Sequence, residues 1–266
     1  MSLQLIFILI MCGILTNLMS AILGIGGGVL MVPILYTVFP EFPLQMVAAT
    51  SLTIVIGTSL INLIYFYQQK IQINFKTMLF WCAGMMAGVQ LGFEASFYLA
   101  DTFIIMIFII VLTLLSLQTI FQTKTAKIAR SERDENLKGI LLCLFGGSVA
   151  GMTGIGGGSI MAPLISQLSI VKPHQIAPYT NYMIVFSGLG SLYGYISKTP
   201  PFHLDYAWQI GYVNFSVVTI VVLSSFATSF LSMKLRGILV PNMVRKLLGL
   251  TLLTIATYML IVHLLK

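Results

Sequence analysis

A glycine-rich motif occurs twice in this chain, and the two copies constrain the fold more than any other feature. The first copy, GIGGGVLMVPI, occupies residues 24–34, and the second, GIGGGSIMAPL, occupies residues 154–164. Aligned without gaps, residues 24–65 and 154–195 agree at 13 of 42 positions. Duplicated halves with glycines that interrupt corresponding hydrophobic segments are typical of secondary transporters, whose binding site lies where the repeats meet. The motif therefore predicts two homologous repeats and favours transport.

The composition indicates a membrane protein. Of 266 residues, 58% are hydrophobic and 8% are charged, whereas roughly a quarter of the residues of a soluble domain are charged. Apolar stretches long enough to cross a bilayer, at about 20 residues each, lie near residues 3–38, 43–67, 77–100, 102–121, 138–171, 175–197, 206–233 and 247–265. Because lipid offers no hydrogen-bond partners, the spans must be helical. The sequence predicts an all-α polytopic membrane protein with about 8 spans.

One strongly polar stretch separates the two halves of the chain. Residues 124–138 contain five Lys and Arg residues together with three carboxylates, a pattern typical of a cytoplasmic connection. We therefore predict an N-terminal transmembrane repeat over residues 1–122, a polar cytoplasmic linker over 123–137 and a C-terminal transmembrane repeat over 138–266.

The distribution of basic residues distinguishes two topologies. If each glycine motif lies in a single crossing, nine Lys and Arg residues lie inside and five outside. If each motif forms the tip of a re-entrant hairpin, twelve lie inside and only Lys198 and Lys266 lie outside. Since basic residues concentrate in cytoplasmic loops, charge favours inverted repeats with both termini outside. The GIGGG regions would then be broken or re-entrant half-helix pairs, giving up to 10 helical segments.

The glycine turns and the start of the following helices form the predicted substrate site. Glycine allows positive φ and a close approach of a ligand. The half-helices are predicted to start at Gly28 and Gly158, and the first N–H groups of a restarted helix attract anions. The predicted site comprises Gly24, Gly26, Gly27, Gly28, Gly154, Gly156, Gly157, Gly158 and Ser159, with Thr50, Ser51, Thr180 and Asn181 completing the shell. Pro33 and Pro163 are predicted to kink the half-helices.

Two structural explanations of the same residues compete with the site. Small residues also allow helices in membranes to pack closely without any ligand. The hydroxyl and amide groups of Thr50, Ser51, Thr180 and Asn181 could equally cap helices or bond between them.

Other polar residues give weaker signals. The three histidines and the three cysteines, Cys12, Cys82 and Cys143, show no metal-ligand spacing. We therefore predict no catalytic residue, no cofactor, no metal and no nucleic-acid partner. Glu94 is expected to be the only carboxylate at any depth, although an interfacial position is favoured. Tyr65, Tyr195, Trp81 and Trp208 are expected in interfacial aromatic belts.

The doubled Gly-Ile-Gly-Gly-Gly followed by proline, in a membrane chain with a polar central linker, resembles the TauE/SafE family of sulfite and organosulfonate exporters. The resemblance covers essentially the whole chain. It implies a multi-pass permease of the bacterial inner membrane that moves small sulfur-containing anions or small carboxylates. Of the predicted site, the resemblance extends only to the glycines of both motifs, with Pro33 and Pro163.

The sequence therefore favours a secondary transporter of small anions that works by alternating access. Its partners are the small anionic substrate and the lipid bilayer, and coupling to a proton or another ion is left open, as is the oligomeric state. The alternatives are a non-transporting membrane subunit, in which the repeat serves packing alone, and an intramembrane sulfur-handling enzyme. The enzyme is disfavoured because neither Cys12 nor Cys143 has a base near it in sequence.

Overall fold

The fold is all-α, as predicted. The computed structural model describes residues 3–23, 27–121, 132–200, 208–235 and 241–265. Its helices are α1 (Leu3–Leu23), α2 (Gly28–Val38), α3 (Leu44–Gln68), α4 (Phe75–Ala95), α5 (Asp101–Phe121), α6 (Glu132–Thr153), α7 (Gly157–Ile165), α8 (Ile176–Ser197), α9 (Phe215–Leu235) and α10 (Pro241–Leu265). A 3₁₀ turn, Pro173–Gln175, precedes α8, and β1 (Gln209–Ile210) pairs antiparallel with β2 (Val213–Asn214) before α9.

Six of the described helices are long and apolar enough to cross a membrane by length and composition: α1, α3, α4, α5, α6 and α10. The helices α8 and α9 are not among these six, although they contain 22 and 21 residues. A chain with six such helices is a multi-pass integral membrane protein. The total of eight spans stays a prediction.

The glycine motifs divide two of the predicted apolar stretches into a long and a short helix. Residues 3–38 become α1 and α2, and residues 138–171 contain most of α6, which begins earlier at Glu132, and all of α7. The short helices have 11 and 9 residues, about half a membrane thickness at 1.5 Å per residue. Pro33 lies inside α2 and Pro163 inside α7. Each proline removes one helical N–H donor, which limits the regular length of these segments.

The first glycine turn sends the chain back beside α1. A Cβ built on Gly27 would lie 3.0 Å from the carbonyl oxygen of Thr16, which is seven residues before the end of α1. Gly27 therefore lies beside α1 and not beyond its end. Thr37, near the end of α2, bonds to Tyr258 in the last part of α10 at 2.9 Å.

Hydrogen bonds between connections define the two ends of the helix bundle. At the Lys198 end, Gln45 donates to the carbonyl of Ser96 at 2.8 Å, and Lys198 pairs with Glu94. This end carries the connections between α2 and α3, between α4 and α5, and between α8 and α9.

At the Lys172 end, Gln175 donates to the carbonyl of Gln72 at 2.8 Å, and the Ser169 N–H donates to Glu135 at 2.7 Å. This end carries the connections between α3 and α4 and between α7 and α8, and α6 begins there.

Helices from different halves run side by side in the same direction. Gly13 and Asn17 of α1 face Val221 and Ser225 of α9, in that order. The helix α9 starts at the Lys198 end. Because α1 runs parallel to α9, it starts at the same end, and α2 returns to that end.

Gly139 and Gly151 of α6 likewise face Trp81 and Val89 of α4. The helix α6 therefore starts at the Lys172 end, as α4 does. Ser169, four residues beyond α7, bonds to Glu135 in the first turn of α6, so α7 also returns to the end at which its own hairpin began.

The packing of the first five helices has a counterpart in the packing of the last five. The helix α4 packs against α6 and α8, and α9 packs against α1 and α3. In addition, α2 packs against α10 and α7 against α5, while α3 contacts α8 and α5 contacts α10. The linker boundaries stay a prediction, although α5 ends at Phe121 and α6 begins at Glu132.

Candidate functional site

The two glycine turns meet inside the bundle. A Cβ built on Gly28 would lie 2.5 Å from the carbonyl oxygen of Ile155 and 3.0 Å from the Cα of Gly156. Val55 of α3 lies against both turns, because its Cγ2 would be 2.5 Å from a Cβ on Gly28 and 2.9 Å from one on Gly156. The residues that the repeat singled out are therefore brought together across the two halves.

The backbone at the turns requires glycine at particular positions. Gly27, Gly154 and Gly156 have φ values of 73°, 74° and 77°, a conformation that residues with a Cβ rarely adopt. The helix α2 begins at Gly28 as predicted, whereas α7 begins at Gly157, one residue before the predicted start. The predicted site residues Gly24 and Gly26 lie outside the described residues.

Ser51 connects the two turns. Its hydroxyl donates to the carbonyl of Gly154 at 2.7 Å and lies 3.4 Å from the carbonyl of Gly28. The side chain is fully buried. Its two acceptors, the carbonyls of Gly154 and Gly28, belong to different halves of the chain. Ser51 therefore stabilises the contact between the turns in this conformation, and its predicted role in the substrate shell would require that contact to open.

The other shell residues occupy different surroundings. Thr50 accepts a hydrogen bond from the N–H of Asn214 at 3.1 Å, which ties α3 to the short β2 strand. Thr180 donates to the carbonyl of Ala177 at 2.9 Å within α8. Both threonines are fully buried. These contacts match the capping and helix-packing explanation as well as they match a substrate shell.

Asn181 belongs to a polar cluster that the sequence analysis did not identify. Its Oδ1 accepts from Asn62 of α3 at 3.3 Å, and Asn62 also donates to Ser20 of α1 at 3.1 Å. Asn62 is 1% exposed. An asparagine in the middle of an apolar span was the available sequence signal, because such residues are rare in membranes and usually bond across helices.

The deeply buried carboxylate is Glu135, not Glu94. Glu94 lies at the Lys198 end, where its carboxylate pairs with Lys198 at 2.6 Å and is partly exposed. Glu135, which the sequence placed in the linker, is 3% exposed and accepts from the Ser169 N–H. Glu135 is buried because α6 extends back into the predicted linker. The expectation about the depth of Glu94 in the membrane stays a prediction.

The aromatic-belt prediction is wrong for two of its four residues. Trp81 and Tyr195 are fully buried. Tyr195 packs edge-to-face on Phe93, with ring centroids 4.6 Å apart, and Trp81 packs on Tyr179 at 5.5 Å. Their rings fill gaps between helices, which the hydropathy of a single span does not reveal.

A cavity of about 480 Å³ opens at the Lys198 end, beside the end of α2. Its lining includes Tyr36, Glu41, Gln45, Phe97, Asp101 and Tyr212. Burial raises the pKa of Tyr212, and the positive charge of Lys198 lowers it in part. The cavity lies at the end toward which α2 returns from the glycine turns.

The chain matches the family Sulfite exporter TauE/SafE over residues 9–259. The chain belongs to the TauE/SafE family. This identification agrees with the resemblance carried by the two motifs. Within the described residues, no group of three or more His, Cys, Asp or Glu side chains could hold a metal ion.

Curated relatives of this TauE/SafE chain are named as transporters. A probable membrane transporter protein of Haemophilus influenzae is 50% identical over 265 residues, covering 99% of this chain and 98% of the relative. One of Methanocaldococcus jannaschii is 26% identical, covering 96% and 95%. Another, of Bacillus subtilis, is 24% identical, covering 77% and 82%. No solved structure shows significant similarity to the chain. The chain is therefore a membrane transporter of the TauE/SafE family.

Proposed function

We propose that this transporter moves small anions, chiefly sulfur-containing ones such as sulfite or organosulfonates, or small carboxylates. It does so by alternating access around a midplane site between two inverted repeats in the bacterial inner membrane. The observation that carries the proposal is the contact of Gly28 with Ile155 and Gly156. Two re-entrant hairpins that enter from opposite ends and touch at their glycine turns are the arrangement expected of a site between repeats.

The chain path supports the inverted relationship. The hairpin of α1 and α2 starts and finishes at the Lys198 end, whereas that of α6 and α7 starts and finishes at the Lys172 end. When each of the first five helices is matched in order with one of the last five, α4 corresponds to α9 and α6 to α1. The α4–α6 contact then corresponds to the α9–α1 contact, and the α3–α8 contact corresponds to itself. These correspondences are what a two-fold relationship between the halves requires.

Charge supports an orientation with the Lys172 end in the cytoplasm. Among the described residues, the basic residues of that end include Lys70, Lys76, Lys138, Lys172, Arg245 and Lys246, whereas Lys198 lies at the other end. Basic residues accumulate in cytoplasmic loops. Both termini would then lie outside, and the cavity at the Lys198 end would open to the outside.

The half-helices supply the chemistry for an anion. The first N–H groups of α2 and α7 lack an intrahelical partner and carry the positive end of each helix dipole. In the conformation observed, the two turns pack against each other, so an anion would bind when one hairpin moves away and uncovers these groups. The Ser51 hydroxyl would then be released from the Gly154 carbonyl and could donate to the anion.

The predicted site contains no lysine or arginine. Backbone dipoles alone give a modest affinity, which permits release on both sides of the membrane. The cost of burying each further charge favours singly charged or protonated anions over multiply charged ones.

Transport by purified protein in proteoliposomes tests the proposal. We expect saturable uptake of radiolabelled sulfite, an organosulfonate or a small carboxylate, and mutual competition among these anions. A pH series should follow the concentration of the singly charged species. Tightest binding of a cation or a neutral sugar, with no competition from these anions, would refute the proposed cargo.

A further inference from the structure

We propose that a buried cluster of neutral oxygen atoms between α1, α3 and α8 binds a monovalent cation, with Na⁺ as the best fit. The cluster consists of Ser20, Ser59, Asn62 and Asn181, and we call it the Asn62 cluster. The inference rests on the proposed function, because the cation would accompany the anion and reduce the charge moved across the membrane.

Two polar atoms of the cluster lack a partner among the residues that the structure describes. The Oδ1 of Asn62 and the Oγ of Ser59 are buried and make no hydrogen bond there. Ser59 is fully buried and Asn62 is 1% exposed. The carbonyl of Val55, which Ser59 could otherwise use one turn back in α3, accepts from Thr58 at 3.1 Å. Leaving such groups unsatisfied costs about 1–3 kcal/mol each, which indicates a ligand.

The chemistry of the two unpartnered atoms indicates which class of ligand the cluster can bind. The Asn62 amide nitrogen is already engaged with Ser20 and Asn181, and the Asn181 amide nitrogen donates to the carbonyl of Ala177. What the cluster offers is therefore oxygen. An amide oxygen cannot donate a hydrogen bond to an anion, and both amide and hydroxyl oxygens are ligands for hard cations. Because the cluster contains no carboxylate, it suits one positive charge better than two.

The surroundings of the cluster favour a cation further. Ser20 lies in the last turn of α1, which ends at Leu23, and the last turn of a helix carries the negative end of its dipole. Ser59 follows Val55 by one turn of α3, and Val55 lies against both glycine turns. The cluster is thus about 6 Å from the turns along α3, on the side of the Lys172 end.

The cluster draws residues from both halves, but it has no counterpart across the two-fold relationship. The positions that correspond to Ser59 and Asn62 in the second half are Leu189 and Leu192. If the cluster served only the packing of the repeat, the same polar residues would be expected in both halves.

Thermal stability of the purified protein in detergent tests the site without relying on transport. We expect the melting temperature to rise with NaCl, and less with KCl, relative to choline chloride at equal ionic strength, because a bound ion stabilises the folded state. Ser59→Ala and Asn62→Leu should each raise the half-maximal Na⁺ concentration about tenfold or more, and Asn62→Asp should lower it. Asn62→Leu introduces the residue found at the corresponding position of the second half.

Ser116→Ala is the matched control, since Ser116 is a buried serine that bonds across helices to the Gly249 carbonyl at 2.7 Å, away from the cluster. It should leave the Na⁺ response unchanged. No stabilisation of the wild type by Na⁺ or K⁺ beyond choline, or the same half-maximal concentration in both cluster variants, would overturn the cation site.

Uptake measured with and without Na⁺ separates the two proposals. If the anion is transported equally well in choline and Na⁺ has no effect on stability, the cation site fails and anion transport stands. If Na⁺ stabilises the protein through the cluster and no anion is transported, the proposed cargo fails and the cation site stands.

Discussion

Gly28 packs directly against Gly156: a Cβ built on Gly28 would lie only 3.0 Å from the Gly156 Cα and 2.5 Å from the Ile155 carbonyl oxygen. Each residue belongs to a different half of the chain, so any side chain at this point separates the two hairpins. The contact matches the close-packing explanation of the glycines. In the proposed mechanism, the turns would have to part before they could receive a ligand.

The glycines of the motifs should differ in their tolerance of alanine. Gly28→Ala meets backbone atoms that cannot move aside, whereas a Cβ at Gly157 would meet mainly the Met85 Cε, the end of a flexible side chain. We expect Gly28→Ala to lose nearly all uptake, with a destabilisation of about 1–3 kcal/mol from overpacking. Gly157→Ala should lose less. Uptake and melting temperature of the two variants, compared at equal expression, test the difference.

A second substitution provides the control for this comparison. Met85→Ala should restore part of the stability of Gly157→Ala, because it removes the obstructing side chain. It should not rescue Gly28→Ala. Equal losses in Gly28→Ala and Gly157→Ala would contradict the packing described for the turns.

Ser51 should affect transport beyond its effect on stability. Ser51→Ala removes the bond to Gly154, and Ser116→Ala removes an equivalent bond to Gly249, each 2.7 Å long. Hydrogen bonds of this kind between membrane helices contribute about 0.6 kcal/mol on average, so both variants should have similar melting temperatures. We expect only Ser51→Ala to raise the KM for the anion. An unchanged KM in Ser51→Ala would leave Ser51 a packing residue.

Glu135 should hold the end of the second hairpin in place. Its carboxylate accepts from the Ser169 N–H while buried. Glu135→Ala leaves that N–H without its acceptor, and we expect a loss of about 1–3 kcal/mol in the free energy of unfolding. Glu135→Gln keeps an acceptor oxygen and should recover most of this loss. Thermal unfolding of the three proteins tests the expectation, which is wrong if Gln and Ala are equally destabilising.

The orientation can be read from the accessibility of single cysteines. In a background without Cys12, Cys82 and Cys143, a cysteine at Lys198 should react with a membrane-impermeant reagent added from outside. A cysteine at Lys172 should react only after the membrane is opened. The reverse labelling pattern would show that the Lys172 end faces outward and that basic residues do not set the topology in the proposed way.

The sequence by itself determined the elements of the fold. Hydropathy required membrane helices, and the glycines with Pro33 and Pro163 required short helices after each turn, because these constraints act within a few residues along the chain. The start of α2 at Gly28 and the family both followed from the motif.

Only the tertiary structure decided which polar groups meet. The bond between Ser51 and Gly154 joins residues 103 positions apart, and that between Asn62 and Asn181 joins residues 119 apart. Such pairs depend on how each helix is rotated and how far it is shifted against its neighbours. A span such as α3, whose polar residues are not gathered on one face, carries little information about that rotation. For the same reason, the predicted shell separates into Ser51 at the turns and Asn181 in the Asn62 cluster.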